Sequence, residues 1–203
     1  MLLYYSLMTL DSSPMIRRFL KPVAFLLCLL PLLWLLYGLL SDALGANPIE
    51  VFIRSMGEWG LRFLLLTLAM TPLRRLTGQG WPIRYRRMLG LFSFFYVCVH
   101  WFSYLWLDQF FDWHEILLDI IKRPFITIGM SAFALLVPLA LTSNQYAIRR
   151  LGRRWKKLHR LVYVAAVFGV LHYFWLVKAD VFWPSVYAVI LFLLFVLRLP
   201  KRA

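Results

Sequence analysis

Acidic side chains are scarce in this chain: 9 Asp and Glu stand against 23 Lys and Arg in 203 residues, a formal net charge of +14. Cysteine is scarcer still. Cys28 and Cys98 both sit inside apolar runs, without zinc-site spacing or a CxxC redox pair, and read as small hydrophobes packed between helices. A nucleophile constellation, a P-loop and a dinucleotide-binding glycine motif are also missing, which leaves hydrolysis and nucleotide-driven transport without residues to carry them. No internal repeat, low-complexity tract or soluble domain stands out. The basic excess does not indicate nucleic acid, because it falls in short clusters between apolar runs and not in a stripe on a polar fold.

Apolar surface is what the chain has in abundance. Hydrophobic residues make up 62% of it, more than a soluble domain of this size can cover, whereas lipid accepts it. A bilayer crossing takes about 20 mostly apolar residues. Charge-free stretches of that kind cover residues 22–41, 88–107 and 124–148, with Pro138 a kink or end signal in the third. Two shorter ones lie between Arg160 and Lys178 and between Asp180 and Arg198. A sixth, residues 55–73, admits Glu58 and Arg62, which are four apart and able to pair on one helix face. The expected fold is all-α: a polytopic membrane bundle of six transmembrane helices over residues 19–199. A short cytoplasmic segment, 1–18, precedes it and a cytoplasmic tail, 200–203, follows.

Loop charge gives the orientation. Basic residues crowd into segments 17–21, 74–87, 149–160 and 198–202, and these alternate with connections that carry eight of the nine acids. Positive residues mark the cytoplasmic side, so both termini are expected there, in a bacterial inner membrane. Arg17-Arg18-Phe19-Leu20-Lys21 hints at a twin-arginine signal, but five further spans make it the anchor of an uncleaved first helix. Met1 and Met15 are both candidate starts. The connection from Asp108 to Arg123 is expected to lie on the membrane as a short amphipathic helix. Its acids Asp108, Asp112, Glu115 and Asp119 are either a docking surface for a partner or ordinary solvated loop charge.

Histidine carries the chemistry. His100 lies thirteen residues past Arg87 in the third span, and His172 fifteen past Lys157 in the fifth. Both spans run outward from the cytoplasm, so the two imidazoles lie at similar depth, ~20 Å from the basic edge. Such a pair fits a haem iron clamped from both faces, and equally two core histidines each bonded to a neighbouring helix. His159 opens the fifth span on the basic side, ~20 Å below His172 but ~140° around the helix, so a shared face requires a bend such as Gly169 offers. At that depth the third span offers Arg86 and Arg87, which bind phosphate or carboxylate and do not ligate iron. A phosphate-bearing flavin fits there, as does a basic cluster touching only lipid headgroups. His114 reads as surface chemistry.

Several motifs together carry a resemblance. Ile83-Arg84-Tyr85-Arg86-Arg87-Met88-Leu89-Gly90-Leu91, Trp155-Lys156-Lys157-Leu158-His159-Arg160-Leu161-Val162-Tyr163 and Leu171-His172-Tyr173-Phe174-Trp175 resemble segments of the MsrQ (YedZ) family. Leu44-Gly45-Ala46-Asn47-Pro48 and Thr71-Pro72-Leu73 extend the likeness over nearly the whole chain beyond residue 15. The wider group is the ferric-reductase-like transmembrane domain, whose other members pair histidines on helices three and five and hold two haems. The resemblance implies haem b on His100 and His172, and FMN as a second cofactor. It implies a periplasmic molybdenum-cofactor partner, MsrP, which reduces methionine sulfoxide in damaged proteins, while this chain holds no catalytic residue itself. Placing FMN beside Arg86, Arg87 and His159 is an inference from the missing second imidazole. The end at Ala203, without the flavin and nicotinamide domain of the wider group, sets the expectation of an external donor: membrane quinol or a soluble flavin reductase. A two-haem cytochrome b acting on quinone or ferric iron is the nearest alternative. A transporter or membrane assembly factor with structural histidines is the other.

Overall fold

The computed structural model describes residues 14–177 and 179–199, and these form helices joined by short connections. The expected end segments lie largely or wholly outside the described residues, as does Lys178. In chain order the helices are α1 (Pro14–Leu40), α2 (Pro48–Thr77), α3 (Trp81–Ser103), α4 (Trp113–Lys122), α5 (Pro124–Leu141), α6 (Gln145–Leu151), α7 (Arg153–Leu158), α8 (Leu161–Leu176) and α9 (Phe182–Val196). Alpha-helix gives way to a single π turn, Tyr104–Asp108, at the end of α3. Four stretches are long and apolar enough to cross a membrane: Phe19–Leu40, Trp81–Asp108, Pro124–Leu141 and Arg153–Leu176. Phe182–Val196 is a shorter apolar helix.

Helix boundaries follow local chemistry. Pro48 and Pro82 stand in first turns, where no partner exists for an N–H. Gly78 ends α2 in the left-handed region at φ 70°, its N–H bonded to the Arg74 carbonyl. The 25-residue charge-free run 124–148 is not one helix. Pro138 lies within α5, which runs on to Leu141; there the Thr142 hydroxyl bonds back to the Pro138 carbonyl, and Asn144 caps a separate α6 through the Ala147 N–H.

The 30-residue α2 forms the centre of the bundle. It buries Phe52, Met56, Leu61, Phe63, Leu64, Leu65 and Leu68, packing lengthwise on α3 and also against α1, α8 and α9. Two cores result: one around Leu64, Leu68, Leu136, Ala166 and Leu191, the other around Leu35, Met56, Phe63 and Tyr96. Close approach between α2 and α3 depends on Gly60, where a β-carbon would stand 2.6 Å from Val97 Cγ2, and on the Ser93 hydroxyl bonding to the Gly60 carbonyl at 2.8 Å. The outer faces of α1 and α9 stay apolar and exposed, at Leu26, Leu33, Trp34, Val189 and Phe192 among others, as a lipid-facing surface is.

Arginine side chains tie the helices together at two places. At one, Arg75 donates to the Leu197 and Arg198 carbonyls, and Arg198 bonds to the Leu68 carbonyl and the Tyr163 hydroxyl. At the other, Glu58 pairs with Arg62 at 2.6 Å, as the four-residue spacing predicts. That pair gathers two partners from distant helices: the Tyr173 hydroxyl donates to Glu58, and Arg62 Nε donates to the Tyr187 hydroxyl.

Candidate functional site

The helices α3 and α8 run in the same direction and each carries a histidine near its far end. The two rings meet. His100 and His172 lie with ring centroids 6.2 Å apart and planes at 73°, on the wall of a cavity of about 590 Å³. Each ring is held by its own Nδ1. His100 Nδ1 bonds to the Ile53 carbonyl at 2.8 Å, and His172 Nδ1 to the Phe125 carbonyl at 2.7 Å. A carbonyl only accepts, so both Nδ1 atoms carry the proton and both Nε2 atoms present a lone pair. Neither Nε2 has a hydrogen-bond partner among the described residues, and neither is sealed from the cavity. Metal-ligating histidines characteristically donate their other N–H to a backbone carbonyl in this way.

The separation fits an ion between the rings. Two metal–nitrogen bonds of about 2 Å, plus roughly 1.1 Å from each nitrogen to its ring centre, place the centroids about 6 Å apart. Among the described residues no three His, Cys, Asp or Glu gather to hold an ion. A bare metal would be short of ligands, whereas an iron already ringed by a planar macrocycle needs only two axial ones. The remaining wall suits such a group: Leu61, Leu64, Val97, Leu136 and Ala165 are apolar, and Gly57, Gly60, Gly129 and Ala132 leave width.

Two of those glycines face the histidines directly. A β-carbon on Gly57 would stand 3.0 Å from His100 Nδ1, and one on Gly129 would stand 2.7 Å from His172 Nδ1. The two halves follow one plan. Each histidine lies 47 residues after its carbonyl acceptor, each glycine four residues after that acceptor, and the second set repeats the first 72 positions on. The chain therefore contains a geometric repeat that the sequence reading did not find. Its pattern is one of contacts: Ile53 matches Phe125 and Val97 matches Gly169, so side-chain identity carries almost no trace of it. In this register Arg87 is the counterpart of His159.

His159 does not share a helix with His172. It closes α7, and a turn at residues 159–160 separates it from α8, so the ~140° offset counted along one continuous helix does not apply to this pair. Its ring stacks on Trp155 at 4.0 Å and its Nε2 contacts the Thr142 hydroxyl at 3.0 Å, while Trp155 Nε1 donates to the Thr142 carbonyl. Arg86 is half-buried with its charge felt at His159, and Arg87 is exposed. The one buried side-chain polar atom without a partner among the described residues is Thr71 Oγ1.

The acidic set divides. Asp112 caps α4, accepting from the His114 and Glu115 N–H groups, and it stays exposed with Asp108 and Glu115. Asp119 is buried, held by the Tyr104 hydroxyl at 3.1 Å and by Arg123 at 3.1 Å. It ties α4 to α3, so it cannot be part of an exposed acidic face. His114 is exposed on α4.

Comparison with known proteins agrees with this architecture. Residues 56–170 match the family model described as ferric reductase like transmembrane component. The chain is 59% identical over 176 residues to the protein-methionine-sulfoxide reductase heme-binding subunit MsrQ of Rhodospirillum rubrum, covering 86% of this chain and 85% of that protein. It is 53% identical to the MsrQ of Azospira oryzae over 96% of this chain and 84% of the relative. With the MsrQ of Herminiimonas arsenicoxydans the identity is 51%, over 95% and 89% respectively. This multi-pass membrane chain belongs to the MsrQ family, within the ferric-reductase-like transmembrane group.

Proposed function

We propose that the chain is the membrane electron-transfer subunit of a methionine-sulfoxide repair system, with haem b held between His100 and His172. The observation that carries this reading is the pair of imidazoles across one cavity, each with Nδ1 fixed on a backbone carbonyl and Nε2 left free. A haem bound there supplies a one-electron iron couple in apolar surroundings. The chain's own residues do the rest. Ile53 and Phe125 set the tautomer and ring orientation, Gly57 and Gly129 leave room for the rings, and Leu61, Leu64 and Leu136 keep water from the centre.

In this reading α2 and α9 cross the bilayer with the four longer apolar stretches, giving six spans in an inner membrane and both termini on the cytoplasmic, basic side. The pairing of Glu58 with Arg62 supports it for α2, because a paired charge facing other helices is tolerated where a lone one is not. Electrons come from membrane quinol or a soluble flavin reductase. They leave to a periplasmic molybdenum-cofactor enzyme of the MsrP kind, which performs the sulfoxide chemistry, so this chain carries no catalytic residue. FMN at the basic end, against Arg86, Arg87 and His159, is the second part of the proposal. Its support is that Arg87 takes the place of a second imidazole and that guanidinium groups suit a phosphate. Asp108, Asp112 and Glu115, exposed on the partner side, form the candidate docking face.

A reduced-minus-oxidised absorbance spectrum of the purified protein, with haem and flavin quantified per chain, tests the reading. The expected result is one low-spin b-type haem plus FMN, with the haem signal lost in both His100→Ala and His172→Ala. Two haems without flavin would indicate a two-haem cytochrome b acting on quinone or ferric iron. A colourless protein that takes up no haem would indicate a transporter or assembly factor with structural histidines.

A further inference from the structure

The cavity holding His100 and His172 is apolar within but not at its edge. Its lining contains two basic side chains, Arg54 and Arg123. Each stands beside a carbonyl that fixes a histidine: Arg54 directly follows Ile53, and Arg123 comes two residues before Phe125. The two cations thus reach the site from its two repeated halves, at the level of the imidazoles. Both are more than half exposed, Arg54 paired with Glu50 and Arg123 with Asp119 through Nε at 3.1 Å. The other charged groups on the lining are Glu50, Glu58 and Asp108, all acidic.

From this arrangement we infer that Arg54 and Arg123 receive the two carboxylates of the porphyrin and so set which edge of the macrocycle points to the cavity mouth. The inference rests on the haem reading above and names the residues that orient the group. An amphipathic planar ligand buries its apolar edge against Leu61, Leu64 and Leu136 and must leave its carboxylates where cations and water meet them. Elsewhere around the lining a carboxylate would face Glu58 or Asp108, with repulsion in place of attraction. Arginine suits the task because its planar fork meets a carboxylate through two parallel N–H groups. Arg123 has further donors beyond the Nε that Asp119 takes. The pair of Arg54 with Glu50 offers little resistance, since exposed ion pairs contribute ~0–1 kcal/mol, whereas Arg123 keeps the buried Asp119 on its Nε and turns its remaining donors to the ligand.

The test compares two porphyrins on the full chain, stripped of haem and reconstituted in detergent: iron protoporphyrin IX and its dimethyl ester, which lacks the negative charges. Affinity is read from the rise of the low-spin spectrum, and retention from transfer to excess apomyoglobin. Wild type is expected to hold the free acid about tenfold more tightly than the ester, two exposed charge pairs being removed. Arg54→Met/Arg123→Met is expected to hold both porphyrins alike, and Arg54→Lys/Arg123→Lys to recover part of the preference. A wild type that binds the ester as tightly as the free acid overturns the assignment without recourse to any variant. So does a Met/Met variant that keeps the full preference. If wild type binds neither porphyrin as a low-spin species, the haem reading itself falls, an outcome distinct from indifference to the ester.

Discussion

Gly129 lies so close to His172 that a β-carbon on it would stand 2.7 Å from the ring nitrogen that holds the imidazole in place. Real side chains do not approach so closely, so Gly129→Ala must push the ring or part α5 from α8. Either movement breaks the bond from His172 Nδ1 to the Phe125 carbonyl and misdirects Nε2. The expected outcome is loss of most bound haem, or its conversion to a high-spin species with one axial imidazole. Gly57→Ala, where the corresponding distance is 3.0 Å, is expected to act in the same direction and less severely. Haem content per chain and the low-spin absorbance of the two variants decide the matter, and equal, undiminished spectra would refute the packing account.

Tyr96 has a different task. Fully buried, its hydroxyl donates to the Cys28 carbonyl at 2.8 Å and accepts from the Leu32 N–H at 3.1 Å, four residues apart on α1. The side chain of α3 thereby enters the hydrogen-bond ladder of α1 next to Pro31, which has no N–H of its own. Tyr96→Phe keeps the ring packing on Phe63 and removes both bonds, at a cost of ~1–2 kcal/mol. A lower unfolding temperature in detergent with an unchanged haem spectrum is the expected result. A spectral change would show that α1 bears on the cavity of His100 and His172 after all.

The depth of the histidine pair was legible because charge fixes where each span begins and helix rise is constant. Counting from Arg87 and Lys157 therefore put His100 and His172 at one level. What orients them was not legible. Ile53 and Phe125 act through backbone carbonyls, which every residue has, and across 47 residues of chain. Glycine on an apolar helix was the one outward sign, at Gly57 and Gly129, and it does not say which ring it faces. The Glu58–Arg62 pair followed from four-residue spacing, whereas its partners Tyr173 and Tyr187 come from helix packing that no local pattern encodes. Asp119 looked like its exposed neighbours in sequence. Only the turn of α4 toward Tyr104 separates it from them.

The Glu58–Arg62 cluster gives the last prediction. Glu58 accepts from Arg62 and Tyr173 together, and Arg62 also bonds to Tyr187 and lies over the Trp59 ring at 4.6 Å. About a third of each charged side chain is exposed, so the pair is neither fully dry nor freely hydrated. Removing one member strands the other among helices, and Glu58→Ala leaves an uncompensated guanidinium at a cost of ~1–3 kcal/mol, below the fully buried figure because of that exposure. Removing both costs less than the two single changes added together, since no lone charge remains. Unfolding temperatures of Glu58→Ala, Arg62→Met and the double variant complete the cycle. Strict additivity would mean that the two side chains act independently, and that α2 tolerates its charges through hydration instead of pairing.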